Sequence, residues 1–344
     1  MRHGWWKFLA VACVLAASII ALRTPLAPAI VHTSLDALQP GSNAMRIMGY
    51  GTRFTQERPE AYIENGGRFI KARRTGVVDD THLVAHFEVP GGLPEDMSDV
   101  VVTTATQGQL RLYDAVYTPM KGLDDQERSA AAFSPPPAPT ERTGYAFPNR
   151  SLLYESIRNL NFHVPMWFTM IMLQTVSLVF SILVLRKGRE LHDRGALQAV
   201  NVSLLFAALG LITGSIWARA TWGGWWTNDA KLNGAAVTVL IYLAYLVLRG
   251  SVADPAKRAR LAAIYNIFAY ALMQLFVMAL PRMNDTLHPG SGGNPAFSQY
   301  DLDSSLRPVF YMAVLGWMGI GAWLLHLRYR MARIQLHHEH ASLR

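Results

Sequence analysis

The sequence predicts an α-helical integral membrane protein with six transmembrane helices and a small β domain inserted after the first of them. Three observations carry this reading. The chain is 51% hydrophobic, yet its mean hydropathy is only +0.15, so apolar spans must be diluted by a sizeable polar segment. Six stretches approach the ~20 apolar residues that a helix rising ~1.5 Å per residue needs to cross ~30 Å of hydrocarbon. The long segment between the first two contains the period-two alternation of half-buried strands.

The spans run from Trp5 to Leu22, Val164 to Leu185, Gln198 to Ala218, Asn233 to Leu248, Leu261 to Pro281 and Pro308 to Leu327. Lysine and arginine in short loops set the orientation, because cytoplasmic loops retain them. Arg186, Lys187, Arg189 and Arg194 follow the second span, Arg249, Lys257, Arg258 and Arg260 the fourth, and Arg328, Arg330 and Arg333 the sixth. Both termini are therefore expected in the cytoplasm. The first span, preceded by Arg2 and Lys7 and followed by Ala27-Pro28-Ala29, has the alternative of a secretory signal; a retained helix over 1–28 is the expectation. The net charge of +8 sits at the inner ends of the spans, so it is a topology signal and not a nucleic-acid footprint. One cysteine, Cys13, lies within the first span, which excludes an internal disulfide, a CxxC redox pair and a CxxCH heme-attachment motif.

The insert over 29–133 reads as β-rich. From Thr81 to Val89, Leu83, Ala85, Phe87 and Val89 alternate with His82, Val84, His86 and Glu88. Asp99 to Thr106 and Gln109 to Tyr117 follow as a hairpin around Gly108, rich in Val, Thr and Tyr, and a modest β-sandwich results. The SPPPAPT run from Ser134 to Thr140 opens an extended linker over 134–150. The membrane core, 151–327, begins with Leu153, Ile157 and Leu160 at helical spacing, a short interfacial helix leading into the second span. Residues 328–344 are read as a cytoplasmic tail.

Three outward features of this core invite chemistry. WGGWWTND, Trp222 to Asp229, sits between the third and fourth spans and forms a rigid aromatic shelf beside a carboxylate. Its plainer reading is interfacial anchoring, since indole has an apolar body and an N–H that wants water. His163 lies in Asn161-Phe162-His163-Val164-Pro165, where Pro165 suits a first helical turn that does not need its N–H. His288 lies in the loop Asn284-Asp285-Thr286-Leu287-His288-Pro289-Gly290. A lone interfacial histidine is usually an ordinary hydrogen-bonded residue; two flanking an aromatic shelf point to paired axial ligands of a heme iron. A flat macrocycle stacks on indoles and its propionates want cations. Lys231, Arg282 and Arg307 are candidates for that role, each otherwise an interface charge that snorkels to headgroups. His82 and His86, four residues apart on one strand and so ~13 Å from each other, cannot chelate one ion together. His337, His338 and His340 fall on the cytoplasmic side.

These residues resemble the CcmC family, the heme-handling C subunit of the cytochrome c maturation system, marked by a WGxxWxWD-type motif. Trp222, Gly223, Trp226 and Asp229 match that motif in register, Trp225 adds a ring at a variable place, and Asn228 stands where the last tryptophan is expected. Gly214-Ser215-Ile216-Trp217 before the motif, Ala230-Lys231-Leu232 after it, and the HVP and TLHPGS segments extend the resemblance over Ser151 to about Leu327. The resemblance implies a multi-pass protein of the bacterial inner membrane with its functional loops in the periplasm. It implies that His163 and His288 ligate heme b, held non-covalently and transiently, and that Trp222, Gly223, Trp225, Trp226 and Asp229 form the heme platform and meet a partner. The implied partners are a periplasmic heme chaperone, ABC-transporter subunits and a small membrane subunit. No catalytic residue and no enzymatic activity are expected. A cytochrome c heme lyase or synthetase of the same superfamily is the alternative, but such relatives carry further histidines within their spans, and here only His326 falls inside one. A transmembrane heme transporter is a third reading; it calls for polar residues deep in the spans, of which Gln174, Asn201, Ser215 and Gln274 are the few apparent.

Overall fold

The computed structural model describes residues 4–118, 133–150, 153–284, 286–288 and 302–342. The chain divides into two compact units, one of Met1–Thr24 with Leu152–Arg344 and one of Pro25–Ser151.

Among the described residues of the second unit, eight strands run in order: β1 (Ala29–Thr33), β2 (Gly41–Tyr50), β3 (Glu60–Asn65), β4 (Arg68–Lys71), β5 (Arg74–Val77), β6 (His82–Val89), β7 (Met97–Thr104) and β8 (Gly108–Tyr117). They form two four-stranded antiparallel sheets, ordered β1-β2-β6-β5 and β4-β3-β7-β8. The alternation read in β6 is the one observed: Leu83, Ala85, Phe87 and Val89 are buried and His86 is exposed. They meet Met45 and Ile47 of β2, Ile63 of β3 and Val100 and Val102 of β7 in one core, so the two sheets make the expected sandwich. Burial on both inner faces is what fixes the register, since a one-residue slip would turn every core side chain to solvent. In the β7–β8 hairpin the first strand ends at Thr104 and the second begins at Gly108, leaving a three-residue connection one residue longer than the sequence reading. His82 is held at the mouth of β6, its Nδ1 3.0 Å from the Asp79 carboxylate, and has no part in a shared site with His86.

The Pro-rich stretch is extended, but it is not a free spacer. Ser134 N–H donates to the Phe69 carbonyl (2.8 Å), Thr143 N–H to Thr106 (3.0 Å), and Phe147, fully buried, exchanges backbone bonds with Pro25 and Ala27. Proline supplies the extended backbone; the sandwich supplies the partners that strap it down.

Among the described residues the first unit contains six helices, each long and apolar enough to cross a membrane: α1 (Trp5–Arg23), α2 (Leu160–Lys187), α3 (Glu190–Trp222), α4 (Ala230–Ser251), α5 (Pro255–Met283) and α6 (Arg307–Ser342). Within α5, Leu275–Ala279 is π-helical. Several helices outrun the apolar segments that reveal them. Residues 328–342 continue α6 instead of forming a separate tail, because Arg, Met, Gln and Leu are good helix formers and the Arg194–Glu339 ion pair holds that end to α3.

Met166, Met170, Leu173, Phe206, Tyr242 and Tyr245 fill the bundle core. Beside them runs a buried polar set larger than the sequence suggested. Asn266 donates to Ser177 (2.7 Å) and Ser181 (2.8 Å), Ser177 donates to the Ala196 carbonyl (3.0 Å), and Gln174 donates to Ser203. Polar groups without water must find partners inside the bundle, so these bonds fasten α2, α3 and α5 together. Backbone closeness does the same for α1 and α6. A Cβ at Gly316 would lie 2.8 Å from Val14 Cγ2 and 3.1 Å from the Ala10 carbonyl oxygen, and one at Gly319 would lie 2.6 Å from Ala10 Cβ.

Replacing Gly316 by Val should therefore overpack the α1–α6 contact and destabilise the chain by about 1–3 kcal/mol, seen as a lowered thermal midpoint in detergent. Gly250→Ala, where nothing lies within 4 Å of the added carbon, should leave the midpoint unchanged or slightly raised.

Candidate functional site

One end of the bundle gathers His163, the tryptophan loop and His288. Trp222 is the last residue of α3, not a loop residue, and the loop proper begins at Gly223. Gly223 stops the helix in the left-handed region at φ +79°, a conformation that glycine adopts without steric cost. Arg219 donates to the Gly223 carbonyl and closes the turn.

Asp229 ends the loop and caps α4, its Oδ1 accepting from the N–H groups of Lys231 (2.9 Å) and Leu232 (3.3 Å). Its Oδ2 accepts from the Thr286 hydroxyl (2.6 Å) and the Leu287 N–H (2.8 Å). One carboxylate thus joins the start of α4 to the loop that carries His288. It is only 3% exposed, so it has no surface to offer a planar ligand or a partner protein. Burial alone raises such a carboxyl; the bonds from Thr286 and Leu287 and the nearby His288 outweigh it and hold Asp229 below its ordinary value.

His288 Nδ1 lies 3.0 Å from Asp229 Oδ1, and the edge of the imidazole meets Trp222 with ring centroids 5.0 Å apart at 70°. Burial holds His288 below the ordinary histidine range, against the pull of the Asp229 carboxylate and with a further push from Lys231. A carboxylate beside Nδ1 favours the proton on that nitrogen, which leaves the lone pair on Nε2.

His163 reaches the same state by a neutral route. Its Nδ1 lies 3.1 Å from Thr213 Oγ1, while the Thr213 hydroxyl has the Leu209 carbonyl as its own acceptor at 2.8 Å. A hydroxyl has one hydrogen, so a Thr213 that donates to Leu209 accepts from His163, and Nε2 again keeps the lone pair. Trp217 (5.8 Å, 81°) and Trp167 (6.3 Å, 77°) wall the ring edge-on, and a Cβ at Gly214 would fall 2.7 Å from its Cε1. The two imidazoles are near enough to interact electrostatically.

The helix bearing His163 starts earlier than Pro165 suggests. A 3₁₀ turn, Tyr154–Asn159, runs directly into α2, and Pro165 lies inside the helix, where one backbone hydrogen bond is forgone. Tertiary bonds hold this early start in place: Arg158 donates to the carbonyls of Ala21 and Thr24, Trp217 Nε1 to Ser156 Oγ (3.1 Å), and Asn159 to the Thr213 carbonyl (2.9 Å). Arg2, Ser151, Asp285, Pro289, Gly290 and Ser291, used in the sequence reading, lie outside the described residues.

Trp225 and Trp226 are the exposed rings, at 62% and 44%. Trp226 Nε1 donates to Asn233 Oδ1 (3.2 Å), and Asn233 donates to Asn228 Oδ1 (2.7 Å), so Asn228 steadies the Trp226 ring through an amide pair. Of the three cations, Arg282 is exposed, Arg307 is half-buried with its Nε donating to the Leu302 carbonyl (3.0 Å), and Lys231 sits in the first turn of α4. Thr213, Trp167 and Thr286 had no sequence signal of their own; their roles arise from contacts across helices and loops. Behind the His288 loop, a Cβ at Gly234 would lie 2.3 Å from the Phe276 carbonyl oxygen, so α4 backs directly onto the π-helical part of α5. Among the described residues no three or more of His, Cys, Asp and Glu assemble to hold a bare metal ion.

Comparison with known proteins gives a consistent set of relatives. The family model described as Heme exporter protein C, CcmC, matches residues 145–343, more than half of the chain. A Heme exporter protein C of Bradyrhizobium diazoefficiens is 29% identical over 160 residues, covering 46% of this chain and 60% of that protein. One from Haemophilus influenzae is 29% identical over 133 residues, covering 38% of this chain and 52% of its own length. A Cytochrome c biogenesis protein CcsA of Prochlorococcus marinus is 38% identical over 82 residues, 24% of this chain and 26% of that protein. The chain thus spans between about half and three fifths of those two exporter relatives' length.

The Asp229 clasp makes a local prediction. Asp229→Ala should speed hydrogen exchange at the amides of Lys231, Leu232 and Leu287 together, with loss of the cap alone costing about 0.5–2 kcal/mol. Because the carboxyl is depressed in the folded chain, the clasp should persist at neutral pH and weaken only as the pH falls below the ordinary carboxylate range. Unchanged exchange at Leu287 in the variant would show that the loop is held by other means.

Proposed function

The chain belongs to the CcmC family, Heme exporter protein C, and on that premise we propose that it holds heme at the outer face of a bacterial inner membrane as cargo for cytochrome c biogenesis. His163 and His288 serve as the two axial ligands. The observation that carries this reading is the pair of imidazoles, each with Nδ1 facing an oxygen of a supporting side chain, Thr213 at 3.1 Å or Asp229 at 3.0 Å, which leaves Nε2 for a metal. Nitrogen ligands on two separate elements, with indoles around them, suit an iron already held in a macrocycle, whose remaining positions lie on opposite faces.

The protein's own work in this proposal is orientation. Gly214, Trp217 and Trp167 fix the plane of His163; Trp222 and the Asp229 clasp fix that of His288. Exposed Trp225 and Trp226 supply apolar surface for the edge of the ring system and for a partner protein, while Lys231, Arg282 and Arg307 supply charge for its propionates. Heme would be held by coordination from His163 and His288 without covalent attachment to the chain, and passed on by release of those ligands to a periplasmic chaperone working with ABC-transporter subunits and a small membrane subunit. Asp229 acts from behind His288 and not as part of the contact surface.

Visible spectra of the detergent-purified chain reconstituted with hemin test this directly. Wild type should give a low-spin spectrum in both oxidation states, and His163→Ala or His288→Ala alone a high-spin one. Thr213→Val, which keeps the shape of the side chain but removes the hydroxyl, should weaken the low-spin signature without abolishing binding. A wild-type spectrum that the double histidine variant reproduces would sink the proposal.

A further inference from the structure

At the opposite end of the bundle, roughly 36 Å away along the 24 residues of α2 from His163 to Lys187, an open cleft of about 1020 Å³ lies among α2, α3, α4, α5 and α6. Five arginines line it. Two are neutralised within the fold: Arg249 makes a bidentate, buried pair with Asp193 (2.5 and 2.7 Å), and Arg194 bridges Glu190 and Glu339. The other three, Arg189, Arg258 and Arg260, have no carboxylate partner among the described residues. Leu185, Leu246 and Ile264 add apolar surface to the same lining, Leu185 and Ile264 each four residues from one of those arginines, Arg189 and Arg260.

We infer that this cleft is a binding site for an anionic phospholipid. Guanidinium forks match the two free oxygens of a phosphodiester, and the three unpaired ones give the cleft a positive charge that the fold itself does not cancel. A phosphate group alone is far smaller than the cleft and has no use for its apolar surface. A lipid uses both, with its phosphate on the arginines and its upper acyl chains along Leu185, Leu246 and Ile264. Basic pockets between membrane helices are suited to such headgroups on the cytoplasmic leaflet, where the distribution of arginine and lysine in the loops places this end. The site is independent of heme: its lining contains no histidine, cysteine or methionine.

The test uses the full chain in a neutral detergent, titrated with phosphatidylglycerol or phosphatidylcholine and followed by native mass spectrometry. The variants are Arg189→Gln/Arg258→Gln/Arg260→Gln, and a control that removes the same charge outside the cleft, Lys187→Gln/Arg330→Gln/Arg333→Gln. Wild type should prefer phosphatidylglycerol; the cleft variant should bind it on the order of 100-fold more weakly, with the control close to wild type. The thermal midpoint without lipid and the heme spectrum report whether each variant is folded. Equal binding of both lipids to wild type, or equal loss in cleft and control variants, would overturn the inference. Displacement of phosphatidylglycerol by inorganic phosphate at equal concentration would overturn the lipid assignment and give the cleft to a soluble anion.

Discussion

The carboxylate of Asp229 is the interaction on which the site depends. A buried carboxylate is costly unless its lone pairs are filled, and here they are filled from two directions. The amides of Lys231 and Leu232 begin α4, and the Thr286 hydroxyl and the Leu287 amide belong to a loop 57 and 58 residues away in sequence. Because the same group also faces His288 Nδ1, the helix cap, the loop anchor and the imidazole orientation stand or fall together. His163 is set by a hydroxyl in place of a carboxylate, with Thr213 relaying the backbone of α3 to the ring.

Rigid backing makes such small polar contacts effective. Gly214 lets the His163 ring lie against α3, Gly234 lets α4 press on the π-helical turn of α5, and Gly316 and Gly319 let α1 reach α6. Without a hydrophobic drive between helices in lipid, close backbone approach and interhelical hydrogen bonds decide how a bundle assembles. The serine and asparagine bonds among α2, α3 and α5 belong to that scaffold. They fasten the interior of the bundle, with imidazoles and indoles at one end and arginines at the other.

The motif itself is divided between two physical roles. Trp222 and Asp229 face inward and support His288, while Trp225 and Trp226 face outward with large apolar surface. Asn228 closes a chain of amide bonds through Asn233 to the Trp226 indole and so braces that ring.

Sequence alone determined the six apolar spans, the alternating strand from His82 to Val89 and the residue types that draw attention to His163, His288 and the tryptophan run, because hydrophobic periodicity and composition are local properties. Strands β1 to β5 escaped notice: β4 and β5 are only four residues each and are held by their partners more than by their own pattern. The short helix at Tyr154–Asn159 was legible from Leu153, Ile157 and Leu160, but the far end of α6 was hidden, since residues 328–342 are held by the Arg194–Glu339 pair. Only the tertiary structure decided that Asp229 is buried behind His288, that Thr213 supports His163, and that three arginines share one cleft. Each of these is a contact between elements distant in the chain, and a linear pattern of hydrophobic and polar residues carries no record of which distant groups will meet.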